Sequence, residues 1–164
     1  MSVIDTRRSI RKYTAQSVAK HTIEQLIAAA CLAPSARNQQ PWDFLVVTDR
    51  QKLDAIPTVQ HSCAFISQAP AAVIVCGDRH KNERFWPVDC AAATENLLLK
   101  AAELGLGSCW CAIYPLEQEM AGFKRLFGLP DQVEAFSLIV LGYPAEEKPQ
   151  PDRDPAGHTH WEQW

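Results

Sequence analysis

Two spacings of apolar residues distinguish the predicted helices of the chain from its predicted strands. Apolar positions three or four residues apart predict helices over residues 22–31, 88–104 and 116–127, with shorter helices over 2–9 and 49–56. Short, nearly continuous apolar runs predict strands over residues 44–47, 71–76, 108–112 and 136–141. The order lacks the regular strand–helix alternation of a doubly wound fold. The pattern therefore predicts an α+β layered domain, with helices on both faces of a small mixed sheet.

Local signals give the expected helix ends. Ser2 and Asp5 have the spacing of a capping box, and Thr22 is predicted to cap the helix that follows it. Asp49 is the predicted N-cap of a short helix, because its side chain can accept a free backbone N–H. Gly105 is expected to end the helix over residues 88–104.

The helix over residues 88–104 is apolar around most of its circumference. Such a helix is normally buried, and in a small protein it can be buried against a second subunit. A homodimer, in which alanines allow close approach, is therefore one way to bury this helix; its apolar positions are Ala91, Ala92, Ala93, Leu97, Leu98, Leu99, Ala101 and Ala102.

Composition narrows the class of protein. A length of 164 residues suits one domain over residues 1–164, whose Pro-rich segment 146–164 is expected to be an extended C-terminal tail. A net charge of −3 argues against a nucleic-acid partner bound through a broad basic face. No apolar stretch is long enough to span a membrane, so no membrane partner is expected. The six cysteines are interpreted as reduced thiols, and the absence of a signal-like start predicts a cytoplasmic protein.

Three polar segments are candidates for chemistry. Residues 7–12 hold four cations and a serine, which suits a phosphate group, although a solvated basic arm is the commoner explanation. Residues 33–42 place polar side chains between two prolines, either to bind a planar heterocycle or simply to close a loop. Residues 105–112 carry glycines that allow close approach of a ligand. Cys109 and Cys111 lack a second ligand pair, so no metal site is predicted.

Together these segments resemble the FMN-dependent nitroreductase family. The resemblance runs through Arg-Arg-Ser-Ile-Arg at 7–11, Pro-Ser-x-x-Asn at 34–38, the Ala- and Leu-rich stretch 89–99, Gly-Leu-Gly-Ser at 105–108 and Leu-Gly-Tyr-Pro at 141–144. The five motifs occur in the family's order over nearly the whole chain. The chain looks like a short member, which implies a three-layer α/β/α domain, a mainly antiparallel sheet and an intertwined homodimer with FMN at the subunit interface.

The resemblance also implies roles for individual residues. Arg7, Arg8, Ser9 and Arg11 match the segment that binds the FMN phosphate and ribityl chain, and Arg153, or less readily Lys148, matches a basic residue of the tail. Pro34, Ser35 and Asn38 match a loop that reaches the flavin of the opposite subunit. Cys111, Ala112 and Ile113 match the segment against the flavin face, with the Ala112 N–H as the expected donor to flavin N5.

The implied activity is hydride transfer from NADH or NADPH through flavin N5 to a nitroaromatic, quinone or similar small acceptor, by a ping-pong mechanism. FMN carries the chemistry, so no catalytic side chain is expected. One residue among Gln60, His61, Ser62 and Cys63 is expected near the flavin ring. Phe85 and Trp86 are expected to line the substrate opening, because the region that longer members fill with an inserted helical pair is short here.

Two alternatives remain at this stage. One is a flavin-binding or sensory dimer without significant turnover, and the other is a specialised flavin enzyme of the same fold. Steady oxidation of the nicotinamide in the presence of an acceptor would distinguish the enzyme from the sensory dimer.

Overall fold

A four-stranded antiparallel sheet forms the centre of the computed structural model, which describes residues 2–164. The strands are β1 (Trp42–Val47), β2 (Ala71–Asp78), β3 (Gly107–Ala112) and β4 (Val133–Gly142). They lie in the order β1-β2-β4-β3, and each neighbouring pair is antiparallel. A parallel pairing occurs outside these strands, where Ser9 bridges Ser108. The predicted mixed sheet is therefore antiparallel in its strands, with parallel pairing at this bridge.

Helices cover both faces of the sheet, as the α+β layered prediction requires. They are α1 (Val3–Thr6), α2 (Lys20–Cys31), α3 (Arg50–Ala55), α4 (Trp86–Glu103) and α5 (Glu117–Phe127). One core lies between the sheet and α2 with α4, and the second lies between the sheet and α3, α5 and the 3-10 turns of residues 56–68. No helix within residues 2–164 is both long and apolar enough to cross a membrane.

Strand β2 contributes to both cores. Val73 and Val75 point into the core beside α4, whereas Ala72 and Ile74 point into the core beside α5. This is the arrangement that its continuous apolar run predicts. Burying each Val or Ile side chain stabilises the fold by about 1.5–3 kcal/mol.

Two predicted helix boundaries are confirmed. The Asp49 carboxylate accepts the Lys52 N–H at 2.9 Å, and α3 begins directly after it. Gly105 follows the end of α4 with φ of +74°, a conformation that favours glycine because it has no Cβ.

Two other predicted boundaries are wrong. The first helix ends at Thr6 rather than near Ser9, because Ser9 pairs with Ser108 in an extended conformation. The second helix begins at Lys20, before the predicted cap at Thr22. The Ala19 carbonyl accepts the first helical bonds there, so burial of the apolar stripe determines the position of α2 without a side-chain cap.

Gly77 provides a test of how closely β2 and α4 pack. A Cβ added there would lie 2.2 Å from the ring of Trp86, which is itself buried. We expect Gly77→Ala to lower the free energy of unfolding by about 1–3 kcal/mol, because the indole would have to move within a packed core. Urea unfolding followed by circular dichroism measures this change.

Gly157→Ala is the matched control, because an added Cβ at that position meets no atom within 4 Å. Its unfolding free energy should stay within about 0.5 kcal/mol of the wild-type value. Equal unfolding curves for Gly77→Ala and the wild type would contradict the close packing at Trp86.

Candidate functional site

The N-terminal arm, residues 7–13, runs beside the outer edge of β3. The Ile10 N–H donates to the Ser108 carbonyl at 2.9 Å, next to the parallel bridge between Ser9 and Ser108. Gly107 is required at this contact, since an added Cβ would lie 2.8 Å from the Ile10 side chain. The arm therefore takes the place of a fifth strand over a short distance.

A basic cavity forms where the arm meets the C-terminal tail, residues 146–164. Its volume is about 680 Å³, and its polar lining includes Arg7, Arg8, Ser9, Lys148 and Arg153. A neighbouring cavity of about 540 Å³ shares two of these arginines and the lysine and continues along β3 past Gly107 and Ser108. The structure thus brings together four of the predicted site residues, together with Lys148, the less favoured match in the tail.

Hydrogen bonds attach the tail to the arm. Arg8 Nε donates to the Pro149 carbonyl at 2.9 Å, and Lys148 Nζ donates to the Ser9 carbonyl at 2.8 Å. The Glu146 carboxylate accepts the backbone N–H groups of Arg11 at 2.6 Å and Lys12 at 3.2 Å. The Arg11 N–H, followed by the charge of Lys148, lowers the pKa of Glu146. The carboxylate is therefore ionised at neutral pH and holds both segments.

Arg11 lies apart from the basic cavity. Its guanidinium is 6.0 Å from the centre of the Phe65 ring, and the residue is exposed. Arg7 also has a partner, since its Nε lies 3.5 Å from a carboxylate oxygen of Glu95 on α4. The predicted set of cations is therefore divided, with Arg7, Arg8 and Arg153 around the cavity and Arg11 further along the arm.

At the end of β3, backbone groups of alternate residues face either the neighbouring strand β4 or the outer side of the sheet. The Ile113 N–H donates to the Phe136 carbonyl and so faces β4, whereas the Ser108 carbonyl faces the arm. Because backbone groups alternate along a strand, the N–H of Ala112 also points to the outer side. The side chains of Cys111 and Ile113 are buried, so on this segment the exposed Ala112 and the backbone are available to a ligand.

The 34–40 loop lies away from the basic cavity of its own chain. Pro34 and Asn38 are exposed, and Arg37, Asn38 and Gln40 have positive φ values of 55°, 55° and 47°. Such backbone strain persists only where surrounding contacts impose it. The loop's own polar contacts include the Ser35 hydroxyl, which accepts the Gln40 backbone N–H at 3.0 Å, and Asn38 Oδ1, which accepts the Gln40 side-chain amide at 2.9 Å.

A buried carboxylate on α4 anchors this loop. Asp89 Oδ1 accepts the Ala36 N–H at 3.0 Å, and Oδ2 accepts the Asn82 amide at 3.3 Å. Asn82 in turn accepts the Phe85 N–H at 2.9 Å, so the loop and the start of α4 share one network. This network places the loop at the start of α4.

Comparison with known proteins identifies the family. A sequence model described as the nitroreductase family matches residues 4–87 and 58–143, which is most of the chain. The chain belongs to the nitroreductase family. Family membership identifies it as an oxidoreductase, and the nitroreductase-like α+β fold is confirmed by solved structures.

Several relatives have nearly the same length. A Methanothermobacter thermautotrophicus protein provisionally named NADH dehydrogenase/NAD(P)H nitroreductase is 43% identical over 166 residues, which cover 100% of this chain and 87% of that protein. A provisionally named NADH oxidase from Clostridium acetobutylicum has a TM-score of 0.95 and 38% identity, covering 99% and 100% of the two chains. An FMN-dependent nitroreductase from Clostridium difficile R20291 has a TM-score of 0.93 and 29% identity, covering 99% of each chain.

One expectation about the nitroreductase substrate opening is not met. Trp86 is buried and packs edge-on against Tyr114 and Phe136, with ring centres 5.1 and 6.2 Å away. Its indole is a core anchor and does not line an opening of this chain. Phe85 is 43% exposed and can still contact a bound molecule.

Three buried thiols lie together beneath the arm. Cys111 interacts with both Cys63 and Cys109, and its hydrogen bond to Cys109 lowers the pKa of the latter to about 7. Within residues 2–164, no three His, Cys, Asp or Glu side chains are arranged to hold a metal ion. Cys31 is exposed and distant in sequence from the others.

Sequence reasoning missed the residues that hold this candidate site in place. Glu146 contacts backbone 135 positions away, and Asp89 contacts Ala36 from 53 positions away. Neither pairing has a local sequence signal, although a carboxylate in an otherwise apolar stretch, such as Asp89, indicates a specific partner. Gln60, one of the four candidates for a residue near the flavin ring, is 5% exposed and contacts the Ala112 carbonyl through its side-chain amide. Which of the four contacts a flavin stays a prediction.

Removal of the Asp89 carboxylate tests the anchor of the 34–40 loop. We expect Asp89→Ala to lower the free energy of unfolding by about 1–3 kcal/mol, because buried donors lose their acceptor. Tryptic cleavage after the exposed Arg37 should also become faster. Urea unfolding and timed proteolysis followed by mass spectrometry measure the two effects.

Asp54→Ala serves as the control, because Asp54 pairs with Arg50 at 2.8 Å on an exposed helix surface. Such a surface pair contributes at most about 1 kcal/mol, and its loss should not affect cleavage after Arg37. Equal cleavage rates for the Asp89 variant and the wild type would show that the carboxylate does not anchor the loop.

Proposed function

We propose that the chain is an FMN-dependent oxidoreductase that uses NADH or NADPH to reduce a nitroaromatic, quinone or similar small acceptor. The observation that carries this proposal is the basic cavity between the arm and the tail, whose neighbour reaches Gly107 and Ser108 of β3, the strand that ends at Ala112. The FMN-dependent relative of equal length supports the choice of cofactor. In this proposal residues 1–164 act as one FMN-binding unit whose tail closes the cavity.

The basic cavity suits the phosphate end of FMN. Guanidinium groups make directional, charge-assisted hydrogen bonds to phosphate oxygens, and Arg7, Arg8 and Arg153 can present theirs from different sides. Lys148 adds a compact positive charge, and the Ser9 hydroxyl adds a neutral donor. Arg8 and Lys148 already link the arm to the tail, so their positions are fixed before a ligand binds.

The outer end of β3 suits the ring. Bound FMN would supply the two-electron chemistry, so the protein has to bind, orient and stabilise charge. An N–H at Ala112 is well placed to stabilise negative charge that develops on a ring nitrogen, because it is held by a strand and needs no reorganisation. Donor and acceptor molecules are proposed to use the same space in turn.

A second copy of the chain completes the proposed site. The strained 34–40 loop lies away from the cavity of its own chain, and one side of α4 is left partly open. Val88 is 66% exposed there, and Ala91, Ala92 and Leu99 are half-buried. Pairing these surfaces would bury apolar area and bring Pro34, Ser35 and Asn38 to the flavin of the partner. The dimer is therefore part of the proposal.

The first test is an absorbance spectrum of the purified protein with added FMN, followed by anaerobic addition of NADH or NADPH. We expect a flavin spectrum that remains after gel filtration and is bleached by at least one nucleotide. A protein that binds no FMN would contradict the proposal. Bound flavin that neither nucleotide bleaches would favour the non-catalytic flavin-binding alternative.

A variant of the arm tests the phosphate assignment. Arg8→Ala should weaken FMN binding at least about tenfold, because one charge-assisted hydrogen bond is worth about 1.5–3 kcal/mol. Fluorescence titration of FMN measures the Kd, and riboflavin, which lacks the phosphate, should bind both proteins equally. Arg125→Ala, on the exposed side of α5, is the control and should leave the Kd unchanged. Equal Kd values for FMN in Arg8→Ala and the wild type would contradict the assignment.

A charge on the open side of α4 tests the dimer. Leu99→Glu should shift the protein towards monomer in analytical ultracentrifugation, because a carboxylate at an apolar interface must be desolvated. Flavin binding should weaken with dimer dissociation. Val46→Glu places the same charge at the exposed edge of β1 and should leave the mass unchanged. A dimer of unchanged stability in Leu99→Glu would place the interface elsewhere.

A further inference from the structure

Gln60 is a buried polar residue that connects two distant parts of the chain. It is 5% exposed and follows the 3-10 turn Ile56–Thr58. Its own N–H donates to the Ile56 carbonyl at 2.9 Å, and its carbonyl accepts the Cys63 N–H at 3.1 Å. The backbone at Gln60 is thus held on both sides, and the direction of its side chain is determined by these turns.

The side-chain amide of Gln60 reaches the end of β3. Its Nε2 donates to the carbonyl of Ala112, while its Oε1 accepts the Ser62 hydroxyl at 3.0 Å. The Ala112 carbonyl determines which end of the amide faces it, because the opposite orientation would place two carbonyl oxygens against each other. The Ser62 hydroxyl, which can donate or accept, then donates to the remaining amide oxygen. Both polar ends of the amide therefore have partners within the chain.

This contact acts on the peptide groups of Ala112 on the outer side of β3. The carbonyl and the N–H of one strand residue point to the same side, so the tethered carbonyl and the N–H of Ala112 share the open edge. β3 is the outermost strand of the sheet, and its pairing with the arm lies at Ser108, four positions earlier. The next residue, Ile113, is held to β4 by its N–H bond to the Phe136 carbonyl, whereas the Gln60 amide holds Ala112 from the outer side.

We propose that Gln60 is a positioning residue, which holds the backbone of Ala112 so that the Ala112 N–H stays directed at the flavin ring. This inference rests on the proposed function and assigns a role to one of the chain's own residues. Gln60 acts through Ala112, since both ends of its amide are engaged and the residue is buried. Ser62 supports it by donating its hydroxyl to the amide oxygen.

Two substitutions separate the hydrogen bond from the volume of the side chain. Gln60→Leu keeps much of the volume and removes the donor. Gln60→Glu keeps the shape, but its carboxylate would place negative charge against the Ala112 carbonyl. A protonated glutamate can donate again, so the Gln60→Glu defect should diminish as the pH is lowered. Gln51→Glu, on the exposed surface of α3, is the matched control for the added charge.

The first readout needs no flavin. In the wild type, NMR should show slowly exchanging side-chain amide protons on Gln60, and the carbonyl carbon of Ala112 should shift in Gln60→Leu but stay unchanged in Gln51→Glu. Rapid exchange of the Gln60 amide, or an unshifted Ala112 carbonyl, would overturn the tether. Circular dichroism and urea unfolding establish that the variants are folded.

The second readout uses the FMN-loaded protein. Gln60→Leu should slow anaerobic bleaching by NADH or NADPH about tenfold or more, less than the loss of a whole catalytic donor, which costs about 10²–10³. The reduction potential should become more negative, while the Kd for FMN stays within about threefold, because the basic cavity is untouched.

The outcomes distinguish this inference from the proposed function. If the wild type is bleached normally and both Gln60 variants match it in rate and potential, the positioning role is overturned and the proposed function stands. If the wild type binds no FMN, the positioning role of Gln60 and the proposed function are both contradicted. A slower rate, a lower potential and recovery of Gln60→Glu at lower pH would support the positioning role, since a general loss of stability would not produce that recovery.

Discussion

The pairing of the N-terminal arm with the outer edge of β3 is the contact on which the rest of the site depends. It is short, with the bridge between Ser9 and Ser108 and the bond from Ile10 at its centre, and it requires a glycine at 107. Once the arm is held there, Arg8 and the Ser9 carbonyl are presented to the tail. Arg8, Lys148 and Glu146 then attach the tail to the arm, and the basic cavity is the space enclosed between them. The cavity is thus a consequence of edge pairing, since both of its walls come from segments outside the four strands.

The 34–40 loop also depends on contacts made elsewhere in the chain, because three of its non-glycine residues have positive φ values. A conformation of this kind costs on the order of 1–3 kcal/mol per residue, so it must be imposed by contacts elsewhere. The Asp89 carboxylate provides one such contact from inside α4, and Asn82 completes its hydrogen bonding. The same helix that carries the open apolar side therefore also orients the loop. This coupling explains why, in the proposed dimer, the helix packing and the position of the loop would be fixed together.

Sequence reasoning succeeded where local physics decides the structure. The apolar run of β2, the side-chain cap at Asp49 and the stop at Gly105 are each determined by neighbouring residues, and each is confirmed. It failed where tertiary contacts override a local signal. The first helix ends before Ser9, because Ser9 pairs with Ser108. The helix α2 begins before Thr22, the residue predicted to cap it. For the site, four residues that the motifs singled out, Arg7, Arg8, Ser9 and Arg153, line one cavity, and their role in binding FMN stays a prediction. They could not give the contacts of Glu146, Asp89 and Gln60, which join residues more than 50 positions apart. The buried position of Trp86 also depends on a contact distant in sequence, because its ring packs where Gly77 has no side chain. No local sequence pattern indicates this contact.

The way in which the outer edge of β3 is covered affects both the stability of the sheet and the proposed site. An edge strand exposes backbone groups that can pair with another chain, and proteins normally cover or interrupt such edges. Here the arm covers the edge at Ser108, and the Gln60 amide covers the carbonyl of Ala112. Covering the carbonyl with a donor leaves the neighbouring N–H as the group that faces outward. A ligand that accepts a hydrogen bond there would complete the edge, so ligand binding and protection of the sheet would use the same backbone group. A side chain that accepted the N–H instead would protect the edge equally well and would block that use. In the proposed site, a donor at position 60 would tether the strand without occupying its N–H, so that this end of β3 would stay open to a ring.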